Sequence, residues 1–421
     1  MTEDFIQYLW RFRLLCTDLV TVTGEKITIL HPGESNRNGG PDFFNARLRI
    51  GQTTWAGNVE IHQKSSDWFR HGHDQDHAYD NVILHVVDSH DIDVTATGTK
   101  PIPVVEVRGN YPERVYKRYL HLLSSPLFIP CQNLLKEELI ESYLLWVPVL
   151  AFERLEEKAM KTRQLLVFAH GNWEEAFYQS LGYAVGLRVN AQPFELLAKS
   201  LPLKLLFRHR SDRLVLEALL FGQAGLLHPV FREEYPRQLH RDFCFFNDKY
   251  CLTPLKEGMW KFLRMRPSGF PTVRISQFAG ILQGRDYLFE ESLLDQPMKD
   301  WMSWLEVKAS DYWDTHYTFE RISVRREKFL GKRSVLLIMI NAVAPFLFLS
   351  EQEKNLSGNR EKAIAMLEEL PAEEDADINQ WKLLGFPGTN AMQTQALKQL
   401  KSRYCDQKRC LECRIGAKVL R

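Results

Sequence analysis

Two neighbouring segments, each alternating apolar with polar residues, constrain the fold of this chain more than any other feature. The run FFNARLRI begins directly after Asp42, and the run TTWAGNVEIH follows a short connection at Gly51. Alternation with period two is typical of strands, and so short a connection predicts that the two runs pair as a hairpin. Successive side chains of a strand point to opposite faces, so Glu60, His62 and Lys64 are expected on one face.

The predicted hairpin brings two carboxylates together. Asp42 stands where the first strand begins, and Glu60 lies on the neighbouring strand. Crowded carboxylates repel each other, and a hard divalent cation such as Mg²⁺ relieves that repulsion. We therefore predict a divalent metal at Asp42 and Glu60.

The same residues resemble the core of the PD-(D/E)XK nuclease superfamily. The resemblance rests on Pro41-Asp42, on Glu60-Ile61-His62 and on Lys64 shortly after them. It implies that the aspartate and the glutamate hold a Mg²⁺ or Mn²⁺ ion that activates water, while His62 or Lys64 positions that water. The chain departs from the pattern at one position, because His62 stands where the superfamily has lysine.

Two other polar segments of the N-terminal region are candidates for metal binding. Many such nucleases carry an additional glutamate upstream of the aspartate, usually on the first helix, and Glu34 is the candidate here. It lies instead in the turn GESNRNGG, where a polar residue needs no functional role. The histidines and aspartates of the loop 71–77 are competent ligands for a transition metal. The alternatives for this loop are a structural or solvated role, or support of the metal at Asp42 and Glu60.

The whole chain also resembles a family of uncharacterised bacterial proteins known only as a domain of unknown function. That resemblance covers nearly all 421 residues, including the N-terminal motifs and a group of C-terminal cysteines. It implies no activity.

Length and patterning predict an α+β protein of two or three domains. Residues 1–120 combine an amphipathic helix with strand-like runs, and we interpret them as a mixed α/β PD-(D/E)XK-like domain. Residues 121–370 carry helical segments of varying length without a fixed repeat, which indicates an irregular α-helical domain. Residues 371–421 are predicted to be a linker and a Cys-rich basic tail.

The sequence predicts a cytoplasmic protein without a membrane segment. Its N-terminus, MTEDFIQYLWRF, lacks the basic region of a signal peptide. The longest apolar stretch, Ser334 to Leu349, is shorter than the roughly 20 residues that a membrane span requires, and we interpret it as a buried helix. In a reducing compartment the seven cysteines are thiols or metal ligands rather than disulfides.

Three cysteines near the C-terminus, Cys405, Cys410 and Cys413, have a spacing suited to metal binding. Zinc and iron–sulfur sites usually have four ligands, and Cys131 is the preferred fourth, with Cys244, Cys251 or a histidine as alternatives. Some PD-(D/E)XK nucleases hold a 4Fe–4S cluster with one upstream cysteine and three near the C-terminus, so the resemblance admits 4Fe–4S as well as zinc. The alternative is that the thiols merely accompany a basic tail.

Charge alone does not indicate a polyanionic partner. The formal net charge is +1, and residues 1–120 hold 13 Lys plus Arg against 16 Asp plus Glu. However, the segment WKFLRMRPSGFPTVR interleaves aromatic residues with Arg264, Arg266 and Arg274, which we predict to contact nucleic-acid phosphates. A solvated helix face, or ion pairs with nearby glutamates, is the alternative.

These observations favour a metal-dependent nuclease that hydrolyses phosphodiester bonds of DNA or RNA. The main alternative is a catalytically silent nucleic-acid-binding or scaffold protein that retains the nuclease fold. A third possibility is a metal-dependent hydrolase of another phosphoester. The sequence predicts no particular protein partner.

Overall fold

The computed structural model describes residues 1–421 except 17, 37–38, 97–100, 264, 290–296 and 355. The chain divides into two compact units. Unit 1 comprises Met1–Leu144 and Lys401–Arg421, and unit 2 comprises Leu145–Leu400. The protein is therefore of the predicted α+β class, with an N-terminal sheet and a helical region after it.

Unit 1 is built on a mixed sheet, which has six strands in the described part of the chain. The strands are β1 Ile27–His31, β2 Glu34–Ser35, β3 Phe43–Ile50, β4 Thr53–Lys64, β5 Val82–Ser89 and β6 Val104–Glu106. Their order is β1-β3-β4-β5-β6, with β2 also paired to β3. The predicted hairpin is confirmed, since β3 and β4 are antiparallel with Ile50 opposite Thr53. β5 and β6 join in parallel after crossovers, which places Glu60 opposite His85.

Helices cover this sheet and close the core of unit 1. They are α1 Glu3–Arg11, α2 Asp67–Arg70, α3 Glu113–Ser124 and α4 Glu137–Leu144. The apolar stripe of α1, including Phe5 and Leu9, is fully buried, and this helix packs against β4 and β5. A second hydrophobic cluster includes the buried residues Trp68 of α2 and Val87 of β5. Because α1 lies on the sheet, its polar residues come close to the start of β3.

The C-terminal segment 401–421 belongs to unit 1 rather than to a separate tail. Its helix Arg414–Leu420 buries Ile415 and Leu420. The Tyr8 hydroxyl donates to the carbonyl oxygen of Ala417 over 2.9 Å, and Lys418 Nζ donates to Ser142 Oγ over 2.5 Å. The apolar face of this helix explains why the segment packs against the N-terminal fold.

Unit 2 is mainly helical. Its helices are α5 Val147–Phe168, α6 Trp173–Val185, α7 Leu187–Ser200, α8 Leu203–Phe207, α9 Arg213–Gln223, α10 Glu234–Tyr250, α11 Pro271–Leu282, α12 Met298–Leu305, α13 Lys332–Lys354, α14 Asn359–Glu369, α15 Ala376–Leu383 and α16 Ala391–Gln399. A small hairpin of β7 His316–Thr318 and β8 Arg321–Ile322 completes the unit. Helices α15 and α16 form part of the segment predicted as a linker. Their N-cap residues are Asp375 and Asn390, whose side chains accept N–H groups of the first turn.

The apolar stretch predicted as a buried helix lies in α13. This helix has 23 residues and is, among the described residues, the one long and apolar enough to cross a membrane. However, 83% of its most apolar window is buried inside the protein. A buried core helix of a soluble protein has the same properties, so the helix is only weak support for a membrane span.

Candidate metal centre

The loop before β3 delivers Asp42 to the sheet in a fixed position. Gly40 has φ +97°, a left-handed conformation that glycine adopts without strain. The side chain of Asn36 donates to the carbonyl oxygens of Gly39, Gly40 and Pro41 over 3.2, 3.4 and 3.0 Å. Its backbone N–H donates to the carbonyl oxygen of Asp42 over 2.7 Å. The Gly-Gly-Pro turn and one asparagine therefore fix where the strand begins.

The structure brings Asp42 and Glu60 together, as the hairpin predicted. The backbone N–H of Asp42 donates to Glu60 Oε2 over 3.0 Å, and the N–H of Ile61 donates to Asp42 Oδ2 over 3.0 Å. Gln7 of α1 donates from Nε2 to Asp42 Oδ1 over 2.9 Å. The pKa of Asp42 is raised by burial and then by the charge of Glu60, and burial also raises the pKa of Glu60. A cation would favour the ionised form of both groups.

Glu3 is a third acid of this site, and the sequence interpretation missed it. The pKa of Glu3 is raised to about 7, chiefly by burial and then by the charges of Asp42 and Glu60. Glu3 and Gln7 are four residues apart on α1, so they share a helix face. That spacing was the available signal, but only the packing of α1 on the sheet shows which residues this face meets.

Histidines surround the free side of Glu60. His62 Nε2 lies 3.5 Å from Glu60 Oε1, and His73 Nε2 lies 3.3 Å from the same oxygen. His62 Nε2 is also 3.1 Å from His71 Nδ1, and its Nδ1 is 2.8 Å from His85 Nε2. The loop 71–77 thus supplies two histidines to the site. His85 and its position on β5 were not singled out from the sequence.

Two predicted site residues, Glu34 and Lys64, are exposed and differ in this from the buried Glu60. Glu34 is exposed on β2, opposite Phe44. Lys64 is exposed at the end of β4. The pKa of Asp91 is lowered chiefly by the hydrogen bond from Ser66, and the charge of Lys64 adds to it. The basic or polar group beside Glu60 is therefore histidine rather than lysine.

A cavity of about 550 Å³ lies on the α1 side of Asp42, within unit 1. Its lining includes the cationic residues Arg11, Lys408 and Arg409, and the acids Asp4, Asp42 and Glu412. Segment 401–421 holds seven Lys plus Arg and two Asp plus Glu, and it brings unit 1 to 21 basic and 21 acidic residues. The C-terminal segment therefore offsets the acidic balance of the N-terminal residues.

The four predicted thiol ligands all lie in unit 1 and are all buried. The pKa of Cys131 is raised to about 12, first by burial and then by the neighbouring charges of Cys413 and Cys410. Burial likewise raises the pKa of Cys405, and the charges of Cys413, Cys131 and Cys410 add to it. The four thiols therefore share one region of unit 1. Cys244 and Cys251 are exposed in unit 2.

The three arginines predicted to contact nucleic acid differ in their positions. Arg264 lies outside the described residues, and Arg266 is exposed before a short turn. The prediction that Arg274 contacts phosphate is wrong, because the residue is only 7% exposed within α11. Its guanidinium donates to Ser334 Oγ over 2.7 Å and to Gln277 Oε1 over 3.3 Å. A buried guanidinium with internal partners does not present a surface to phosphate.

Comparison with known proteins identifies a family but no activity. The family model that matches residues 3–376 is described as "Protein of unknown function (DUF2851)". No curated protein and no solved structure matches the chain. The matched residues include Asp42, Glu60 and the histidines around them, and they extend through most of unit 2. The chain therefore belongs to the DUF2851 family.

Proposed function

We propose that this chain is a metal-dependent nuclease whose unit 1 hydrolyses phosphodiester bonds of nucleic acid. The observation that carries the proposal is the carboxylate pair. Glu60 is buried, Asp42 is half-buried beside it, and Asp42 opens onto a cavity of about 550 Å³. Two acids held together away from solvent are the arrangement that a catalytic Mg²⁺ or Mn²⁺ ion requires.

In this proposal, Asp42 and Glu60 would hold the metal, whose chemistry would be to make water a stronger nucleophile and to offset charge on the attacked phosphate. Glu3, an acid of the same site with a raised pKa, would accept the proton of the attacking water. The water oxygen would bond to phosphorus as the bond from phosphorus to the ester oxygen breaks, and the leaving oxygen would take a proton from solvent. His62 and His73 take the place of the superfamily's lysine beside Glu60.

Cationic residues of unit 1 suit the binding of a phosphate backbone near this pair. Arg11, Lys408 and Arg409 line the same cavity as Asp42. Guanidinium and ammonium groups bind phosphate oxygens. Arg266, exposed in unit 2, remains a further candidate for phosphate contact.

We also propose that Cys131, Cys405, Cys410 and Cys413 hold a structural metal, either zinc or a 4Fe–4S cluster. The support is that four thiols from two distant parts of the chain are all buried in unit 1, and that the charges of other cysteines among them add to the raised pKa values of Cys131 and Cys405. Lys408 and Arg409 lie between two of these cysteines, so the same metal would fix the basic wall of the cavity. Cytoplasmic localisation, where thiols stay reduced, accords with this proposal.

The experiment is a cleavage assay on the full chain, purified anaerobically. Single- and double-stranded DNA and RNA are incubated with Mg²⁺ or Mn²⁺, and with EDTA. We expect cleavage of at least one nucleic acid with a divalent ion and none with EDTA. If the chain binds nucleic acid without cleaving it under any of these conditions, the silent nucleic-acid-binding protein is the correct interpretation. If it cleaves only a small phosphoester, it is the other class of hydrolase.

A further inference from the structure

We infer that Glu60, His62, His71 and His73 form a binding site for a divalent transition metal such as Mn²⁺ or Zn²⁺. The inference deepens the proposed function and rests on it in part, because Glu60 belongs to both ligand sets. The histidine site would select a transition metal, whereas Asp42 and Glu60 alone would suit Mg²⁺ equally well. The resulting centre is rich in histidine and lies beside Asp42.

The spacing of the donor atoms carries the inference. One ring nitrogen from each of the three histidines lies within 4.8 Å of a ring nitrogen of the other two. His62 Nε2 and His71 Nδ1 are 3.1 Å apart. Glu60 Oε1 is 3.3 Å from His73 Nε2 and 3.5 Å from His62 Nε2. Ligands bound at about 2.1 Å to one ion lie about 3.0 Å apart in octahedral and about 3.4 Å apart in tetrahedral geometry.

The contacts of His62 also suit ligation, because its two ring nitrogens face different partners, His85 at Nδ1 and His71 at Nε2. Neutral imidazole is the form that binds metals. In the metal-bound form His62 carries its proton on Nδ1 and donates it to His85 Nε2, 2.8 Å away. His85 then orients the ring and leaves Nε2 to the metal, as second ligand shells commonly do.

The surroundings of Glu60 permit it to ligate. Its Oε2 accepts the N–H of Asp42 over 3.0 Å, which fixes the carboxylate and turns Oε1 toward His62 and His73. His73 is held from behind by Tyr79, since the two rings stack with centroids 3.8 Å apart. His71 is exposed, so an ion can reach the site from solvent at this histidine. Three imidazoles with one carboxylate favour Mn²⁺, Zn²⁺ or another transition metal over Mg²⁺.

The probe for the test is Mn²⁺ alone, added to the full chain after removal of bound metal. Mn²⁺ prefers oxygen and nitrogen ligands to the buried thiols, so the cysteines do not compete for it. Pulsed electron paramagnetic resonance detects ¹⁴N nuclei bound to Mn²⁺, and a titration of the free-ion signal gives the affinity. Both readouts are independent of catalysis.

The variants are His71→Asn and His73→Asn, with His77→Asn as the matched control. His77 lies in the same loop, is exposed, contacts Asp80 at 2.9 Å, and is not one of the three clustered histidines. We expect ¹⁴N coupling in the wild type and in the control, and Mn²⁺ binding at least ~10-fold weaker in each of the other two variants. Because His71 is exposed, its variant should fold even if His73→Asn does not. The inference is overturned if both folded variants keep the wild-type affinity and coupling.

Two outcomes separate this inference from the proposed function. If Mn²⁺ binds with histidine coupling but no nucleic acid is cleaved, the metal site stands and the nuclease proposal fails. If nucleic acid is cleaved while bound Mn²⁺ shows no ¹⁴N coupling, the nuclease proposal stands and the histidine site is wrong.

Discussion

Asp42 and Glu60 hold each other in place through the backbone of their strands. The N–H of Asp42 donates to Glu60 Oε2, and the N–H that follows Glu60 donates to Asp42 Oδ2, each over 3.0 Å. Two groups that repel when ionised are thereby kept side by side and oriented. Such an arrangement costs stability unless the carboxyls are protonated or a cation is bound.

The stability of the metal-free protein should depend on pH through this site. The pKa values of Asp42, Glu60 and Glu3 are raised in the folded state, that of Glu3 from 4.5 to about 7. The contribution of these three groups to the free energy of unfolding is therefore complete below the pKa values that they have in the unfolded chain. It is lost as the pH rises toward 7, because the unfolded chain binds fewer protons than the folded protein there. Thermal unfolding in EDTA should show Asp42→Asn gaining stability relative to the wild type as the pH rises from about 4.5 to about 7.

Mn²⁺ supplies the control for this pH dependence. Bound metal replaces the protons, so saturating Mn²⁺ should raise the melting temperature of the wild type most at the upper end of that pH range. A stability difference between the wild type and Asp42→Asn that stays constant with pH in EDTA would show that the pair is not strained.

The hairpin and its acids could be predicted because their signal is local. Alternation in β3 and β4 predicts the face of each side chain, and the short connection at Gly51 predicts the register next to the turn. These two facts predict that Asp42 and Glu60 are neighbours, whereas the register shift between Phe43 and Ala46 carries no sequence signal of this kind. The histidines of loop 71–77 could be named as ligands but not placed, because a loop carries no such periodicity.

The rest of the site depends on packing between distant segments. Glu3 and Gln7 lie on α1, and no sequence pattern shows which strand a helix face will meet. The burial of Arg274 could not be predicted for the same reason. Its segment mixes basic with apolar residues, and only the packed structure shows that nearly every residue of α11 is buried. Lys64 was expected to act beside Glu60, but β4 ends there and its side chain faces solvent.

The cysteine proposal predicts that Cys410→Ser and Cys131→Ser each release a metal from the protein. A structural thiolate site supplies on the order of 10 kcal/mol, so its loss should make residues 401–421 sensitive to protease. Metal analysis after anaerobic purification, with an absorbance spectrum, measures this. A brown protein indicates iron–sulfur and a colourless one zinc. Cys244→Ser is the control, because this thiol is exposed in unit 2.

The four-cysteine site is wrong if the wild type contains neither metal. It is also wrong as described if Cys131→Ser leaves the metal content unchanged. Cleavage by Cys410→Ser should persist, though weakened, because Asp42 and Glu60 are held by their own strands and by α1.

The arginines of unit 2 should separate into two kinds. Arg266→Ala should weaken nucleic-acid binding across sequences and reduce the salt dependence by about one unit, if the exposed side chain contacts phosphate. Arg274→Ala should instead lower the free energy of unfolding by about 1–3 kcal/mol, because it leaves Ser334 and Gln277 without their buried partner. Binding measured against salt concentration, together with thermal unfolding, distinguishes them. An unchanged salt slope in Arg266→Ala would remove that residue from the binding surface.

The most direct measurement is single-turnover cleavage of a labelled oligonucleotide in Mn²⁺ by the wild type, Glu60→Gln and Glu25→Gln. Glu25 is an exposed acid of unit 1 and serves as the matched control. We expect Glu60→Gln to cleave at least ~100-fold more slowly while remaining folded, because the metal and its activated water are lost. Glu25→Gln should cleave at the wild-type rate. Cleavage by folded Glu60→Gln at the wild-type rate would contradict a hydrolytic metal centre at Asp42 and Glu60.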